Sequence, residues 1–202
     1  MVLSGCRPEA AAAWARRGIA PLVVAPLNGW TLVLPAGRAA ARPPYDDGVR
    51  LLASRPVGMR MRPALGFFQI GRQAVMTVHG ERWRAVQRWV VWTPREALAP
   101  TADLAPARPI DLITAAGTLS ADEVDHAELA LRNVLRDGGA DAAGVLAAAM
   151  GILGLPGLDV LSGATDPLTL PGAVLVVPKP RHARTFERLL TEQAAEQEEK
   201  DG

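Results

Sequence analysis

The spacing of apolar positions changes near the middle of the chain. Up to about residue 93 they fall in short runs broken by Gly, Pro and Asn, as strands of a pleated sheet require. Residues 21–25 and 30–34 flank Leu27-Asn28-Gly29. Asn-Gly between apolar runs predicts a hairpin, because both residues tolerate the positive φ of a type I′ turn. Three further runs, 64–70, 73–79 and 84–92, predict a meander with Gly71-Arg72 and Gly80-Glu81 at its turns. Residues 57–61 read as an added edge strand. Short helices are expected over 8–17, ended by Gly18, and over 45–54 behind Pro43-Pro44.

Beyond residue 110 the pattern is helical. Residues 110–116 form one predicted helix and 121–136 another, with Ser120 and Glu123 as a capping box and Asp137-Gly138-Gly139 as its stop. Val124, Ala127, Leu131, Val134 and Leu135 share one face of the second, leaving an acidic face opposite. The apolar run 142–158 is shorter than the roughly 20 residues of a membrane span and is dense in Gly and Pro, so it predicts a buried helix ending near Gly154. Residues 172–177 predict a strand that joins the sheet, and residues from 180 to about 199 a final helix. Its acidic end, 192–202, has few apolar anchors and is expected to be solvated and mobile.

The fold class is therefore α+β: a mainly antiparallel sheet, an N-terminal hairpin plus meander, packed by helices from the C-terminal half. One domain over 1–202 is expected, with a strand-rich subregion at 18–93, a connector at 94–109 carrying Pro94, Pro100, Pro106 and Pro109, and a helical subregion at 110–202. At 202 residues, 49% hydrophobic and 21% charged, the chain can bury a core without staples.

Cys6 is the only cysteine, which excludes an internal disulfide and points to a reducing, cytoplasmic setting. Leu3-Ser4-Gly5-Cys6 looks like a lipoprotein cleavage box, but the basic and apolar segments that should precede such a box are missing from Met1–Gly5. Positive charge is almost all arginine, with Lys179 and Lys200 the only lysines, and Ala, Gly and Pro are abundant. That bias suggests a GC-rich bacterial genome, and it weakens any reading of arginine as chosen for its chemistry.

The net charge of +1 hides two opposed halves. Through residue 110 there are fifteen Arg against six acids; from Asp111 onward five Arg and two Lys face fifteen acids. The halves should attract one another, or the basic half should meet an acidic partner.

Catalytic chemistry is thinly represented. His79, His126 and His182 lie in no zinc, hydrolase or phosphate-loop motif, and no cofactor is implied. His126 lies four residues after Asp122, which gives two potential metal ligands on one helix face, too few for a site. His79 reads as a turn residue, His182 as part of an exposed first helical turn, and Asp46-Asp47 as the cap of a helix. Residues 112–124 have the texture of a helix-turn-helix, but its reading helix would carry Asp122, Glu123, Asp125 and Glu128 toward phosphates.

The segment 81–89 carries more. Strand alternation puts Arg82, Arg84 and Arg88 on one face and Trp83 and Trp89 on the other, while Arg60 and Arg62 share a face of the preceding segment. With Trp92 on the basic face, these residues could hold phosphates and stack a base, or bind an acidic partner. Near-neutral overall charge favours a different expectation: a non-enzymatic protein–protein interaction or assembly protein, self-associating through complementary charge, with no membrane contact. Nucleic-acid binding through the basic sheet face is the first alternative, and a small enzyme without a recognisable motif the second.

Overall fold

The computed structural model describes residues 1–81, 86–100 and 102–201. It is an α+β fold built on one open antiparallel sheet of eight strands, in the order β7-β6-β5-β4-β1-β3-β2-β8. Two halves make the sheet. The hairpin of β2 (Leu22–Leu27) and β3 (Trp30–Pro35) turns at Asn28 and Gly29, with φ of 46° and 83°, the type I′ geometry that Asn-Gly predicts. The meander consists of β4 (Ala64–Ile70), β5 (Gln73–His79) and β6 (Arg88–Thr93), with a two-residue strand β7 (Ala97–Leu98) inside the connector. The start of the predicted 84–92 strand lies partly outside the described residues.

Between hairpin and meander sits β1 (Val2–Ser4), where the sequence reading places no strand. Leu3 pairs with Leu32 on one side and Leu65 on the other, so three residues join the two halves. The junction is buried and satisfied: the Ser4 hydroxyl donates to the Met61 carbonyl, and the Thr31 hydroxyl donates to the Cys6 carbonyl at 2.6 Å. A second correction concerns residues 57–61, which form a 3-10 turn, Met59–Met61, rather than an edge strand.

Each face of the sheet carries its own core. On one, α1 (Pro8–Ala15) and α2 (Gly48–Ser54) bury Ala11, Ala15 and Leu52 against Val24, Val33, Phe68 and Val75. Asp47 caps α2 by accepting from the Val49 and Arg50 amides, so the helix starts later than residue 45. On the other face lie α3 (Pro109–Ala116), α4 (Val124–Arg136) and α5 (Ala142–Ile152). They place Leu112, Leu131, Leu146 and Met150 against Phe67, Met76, Val90 and Trp92. Each such side chain contributes about 2–3 kcal/mol by leaving water. Glu123 reaches back to the Ser120 amide at 2.9 Å, as a capping box should, yet α4 begins only at Val124. A short helix α6 (Leu158–Leu161) follows α5. The chain then returns to the sheet as β8 (Val174–Val176) and leaves it in α7 (Pro180–Asp201). Among the described residues no helix is long and apolar enough to cross a membrane.

Candidate functional site

Of the five arginines read as one basic face, Arg60, Arg62 and Arg88 lie among the described residues, and Arg62 and Arg88 stand on opposite sides of the sheet. Arg88 stands on the α3 side of the sheet, since it pairs with Val78 of that core and alternates with Val90 and Trp92. Arg62 lies on the opposite side, near enough to His79 to disfavour a second positive charge there. Arg60 is exposed in the 3-10 turn next to Met61, which belongs to that same opposite core. Arg82 and Arg84 lie outside the described residues.

Trp92 does share a face with Arg88, as the spacing predicts, but that face is interior. Its ring is fully buried and its indole N–H donates to the Asp137 carbonyl at 3.2 Å, so no base can stack on it. The helices α3 to α5 cover it, and nothing in the strand's own sequence reports that cover.

Arg88 borders a cleft of about 790 Å³ between the ends of β5 and β6 and the start of α3. Its guanidinium pairs with Asp111 at 3.5 Å, and Asp111 also accepts from the Arg108 amide at 2.8 Å. Burial opposes ionisation of Asp111, but the Arg108 hydrogen bonds and the charges of Arg88 and Arg108 together hold its carboxyl below the usual range. Arg88 and Arg108 thus share one carboxylate, which is committed to the start of α3 and leaves the cluster with an excess positive charge. His79 is buried and neutral, its pKa lowered to about 4 by burial and by Arg62, and its Nε2 accepts from the Val57 amide at 3.5 Å. Such a ring holds a turn together and has no access to a substrate. Among the described residues no three His, Cys, Asp or Glu side chains converge as metal ligands.

At one end of the sheet the connector runs along β6, where Ala99 donates to Val91, Trp89 to Ala105 and Ala107 to Trp89, and β7 with its exposed Leu98 is the outer strand. At the other end β8 is the last strand, and among the described residues no segment hydrogen-bonds to its outer side. Alternate N–H and C=O groups of β8 therefore face water, as in any unprotected edge.

The sequence of β2 explains why β8 is short. Leu22, Val23 and Val24 pair with Val176, Leu175 and Val174, and Pro21 and Pro26 bracket them. Neither proline can donate to a ladder, so pairing stops at three residues. At the Pro26 end the chain turns through Gly172, at φ 76°, where a side chain would lie 3.1 Å from the Pro26 ring.

Around this edge apolar side chains stand in water: Val174 at 47% exposure, Leu175 at 53%, Val177 at 65% and Leu168 at 51%. Leu175 stands on the face that carries α3 to α5, whose main contacts with the sheet are with β4, β5 and β7. The sequence reading finds this strand and its place in the sheet without marking it as a site. Strand order is what makes it an edge, and strand order is set by pairing across the whole chain.

Beyond Pro178 and Lys179 the chain enters α7, a helix of 22 residues. Phe186 is its anchor, meeting Tyr45 edge-on at 5.5 Å between ring centres and helping to line a hollow beside Leu22, Leu51 and Leu52. Leu189 is 48% exposed and Leu190 half-buried. No protein-family model matches this sequence, and no curated protein or solved structure is significantly similar to it.

Proposed function

We propose that the chain is a non-enzymatic protein-interaction or assembly protein whose contact surface is the β8 edge with the helix that follows it. The observation that carries this reading is the β8 edge, which exposes Val174, Leu175 and Val177 beside backbone groups to which no described segment hydrogen-bonds. Edges of this kind are normally blunted by charge, by proline within the strand or by a covering segment, because they recruit strands from other chains. Here Pro178, Lys179 and Pro180 lie just past the strand, and its three residues carry no such guard.

The test is capture of partners by the tagged protein from its own cells, with and without nuclease, for the wild type and for Leu175→Lys. A protein retained after nuclease and lost with Leu175→Lys is the expected result. Capture that disappears with nuclease, or that Leu175→Lys leaves unchanged, would overturn the reading.

A further inference from the structure

Between the end of α1, α2 and Phe186 of α7 lies a hollow of about 280 Å³. Its walls include Ile19, Leu22, Leu51, Leu52 and Phe186, and among the described residues that line it the only charged ones are Arg17 and Arg55. We infer that this hollow is a binding site for a small hydrophobic carboxylic acid, with the apolar body among Leu22, Leu51, Leu52 and Phe186 and the carboxylate on Arg55. The site does not involve the β8 edge, so it stands or falls separately from the interaction reading.

Size and lining define the body of the ligand. Roughly 150 Å³ holds a benzene ring, so the hollow accepts one ring or a medium alkyl chain and falls at the small end of ligand sites. Walls of this kind offer a polar body nothing to bond, whereas an apolar one leaves water by entering.

The cations define the head. Arg55 is half-buried, and burial lowers its pKa to about 10, as happens when a charge is drawn from water without an acid to compensate it. Among the described residues no ion pair includes Arg55 or Arg17. The acids next to α2 are committed elsewhere, Asp47 to the cap and to Arg50, and Asp46 to Arg38. A partly buried charge without a counter-charge is costly, and a carboxylate is the group that a guanidinium's planar fork of donors fits.

The guanidinium is also held in position. It lies 3.7 Å from the centre of the Trp14 ring, and the indole N–H of Trp14 donates to the Pro56 carbonyl at 3.2 Å. Its Nη2 donates to the Trp14 carbonyl at 2.6 Å, in the last turn of α1, where the helix dipole favours a cation. These contacts offset part of the cost of burial and fix the plane of the group, yet they use a single N–H. A Cβ at residue 18 would lie 2.4 Å from Nη1, so the glycine there makes room for the guanidinium. Nη1 and Nε have no hydrogen-bond partner among the described residues and remain available to a ligand.

Titration of the full chain with octanoate and with phenylacetate, followed by ligand-observed NMR, tests the site, with octanamide, phenylacetamide and acetate as controls. At least one acid should bind one-to-one with a Kd of about 1 mM or tighter, and its amide about tenfold or more weakly. Acetate, which has the head without the body, should show no saturation up to about 20 mM. Arg55→Gln should weaken the acid about tenfold or more. Leu51→Trp, at a half-buried position on the wall, should fill the hollow and abolish binding, and circular dichroism shows whether each variant is folded. Binding of only one of the two acids supports the inference and assigns the body as aliphatic or aromatic. No saturation by either acid up to about 20 mM, an amide that binds as well as its acid, or either folded variant binding as the wild type does would each overturn it.

Discussion

Replacing His79 with Gln tests how the turn beneath α2 is held. The ring is 3% exposed, and with its pKa lowered to about 4 it remains neutral in the fold. In the unfolded chain a histidine titrates near 6.5. As pH falls below 6.5, the unfolded state takes up a proton that the folded state refuses, so stability drops between pH 6.5 and pH 4 and is flat above 7. The two pKa values make the folded state about 2 kcal/mol less stable at pH 5 than at pH 7 from this ring alone, an upper bound if water relaxes around it. With a urea slope of about 2 kcal/mol per molar, the unfolding midpoint should shift by about 1 M. The amide side chain of the His79→Gln variant can still accept from the Val57 amide but has nothing to titrate. The Met1 amino group, which donates to the Phe67 carbonyl at 2.7 Å and is lowered by burial to about 5, acts in the same direction. The measured quantity is therefore the difference between wild type and His79→Gln, taken from urea midpoints at pH 7, 6 and 5. Equal losses in the two proteins would refute the reasoning, as would an imidazole resonance of His79 that titrates near 6.5.

Two further predictions concern packing. Trp92→Phe removes a buried indole N–H, leaves the Asp137 carbonyl without its 3.2 Å partner and opens a cavity between β6 and α4; it should cost about 2–3 kcal/mol in denaturant unfolding. Gly66→Ala and Gly29→Ala separate overlap from backbone strain. A Cβ at Gly66 would lie 2.3 Å from the Thr77 hydroxyl and 2.5 Å from the Phe68 ring, so overpacking should lower stability by about 2–3 kcal/mol. At Gly29 a Cβ meets nothing within 4 Å, and φ of 83° alone should cost about 1 kcal/mol. Comparable thermal midpoints for the two variants would show that the overlap at Gly66 relaxes freely.

The parts of the fold legible in the sequence are those fixed by neighbours along the chain. Strands β4 and β5 have the bounds their apolar runs predict, Asn28-Gly29 makes its turn, and α5 stops before Gly154, which takes φ of 60°. The parts that were not legible depend on distant partners. Val2, Leu3 and Ser4 are too few to show a period, and they become a central strand only because residues 31–33 and 64–66 flank them. The alternation that puts Arg88 and Trp92 on one face is correct, but whether that face meets water is decided by helices that come later in the chain. The same limit hid the β8 edge, whose residues look like any buried strand.

The opposed charges of the two halves acquire a different meaning in the fold. Arg38–Asp46, Arg50–Asp47, Arg108–Asp111, Arg132–Glu128 and Arg188–Glu192 are local pairs, three to eight residues apart, and exposed enough to contribute little each. Arg88–Asp111 does bridge sheet and helix, yet its 3.5 Å contact is partly solvated. What joins the halves is the apolar layer from Phe67, Met76 and Trp92 to Leu112, Leu131 and Leu146. Attraction between the halves is thus not needed to assemble the molecule. Among the described arginines of the sheet, Arg62 and Arg88 stand on opposite sides, so those two share no footprint. Charge is sorted most sharply within α7, along one helix that leaves the open edge, and there it has a direction. In the sequence that order runs basic before acidic along residues 179–201.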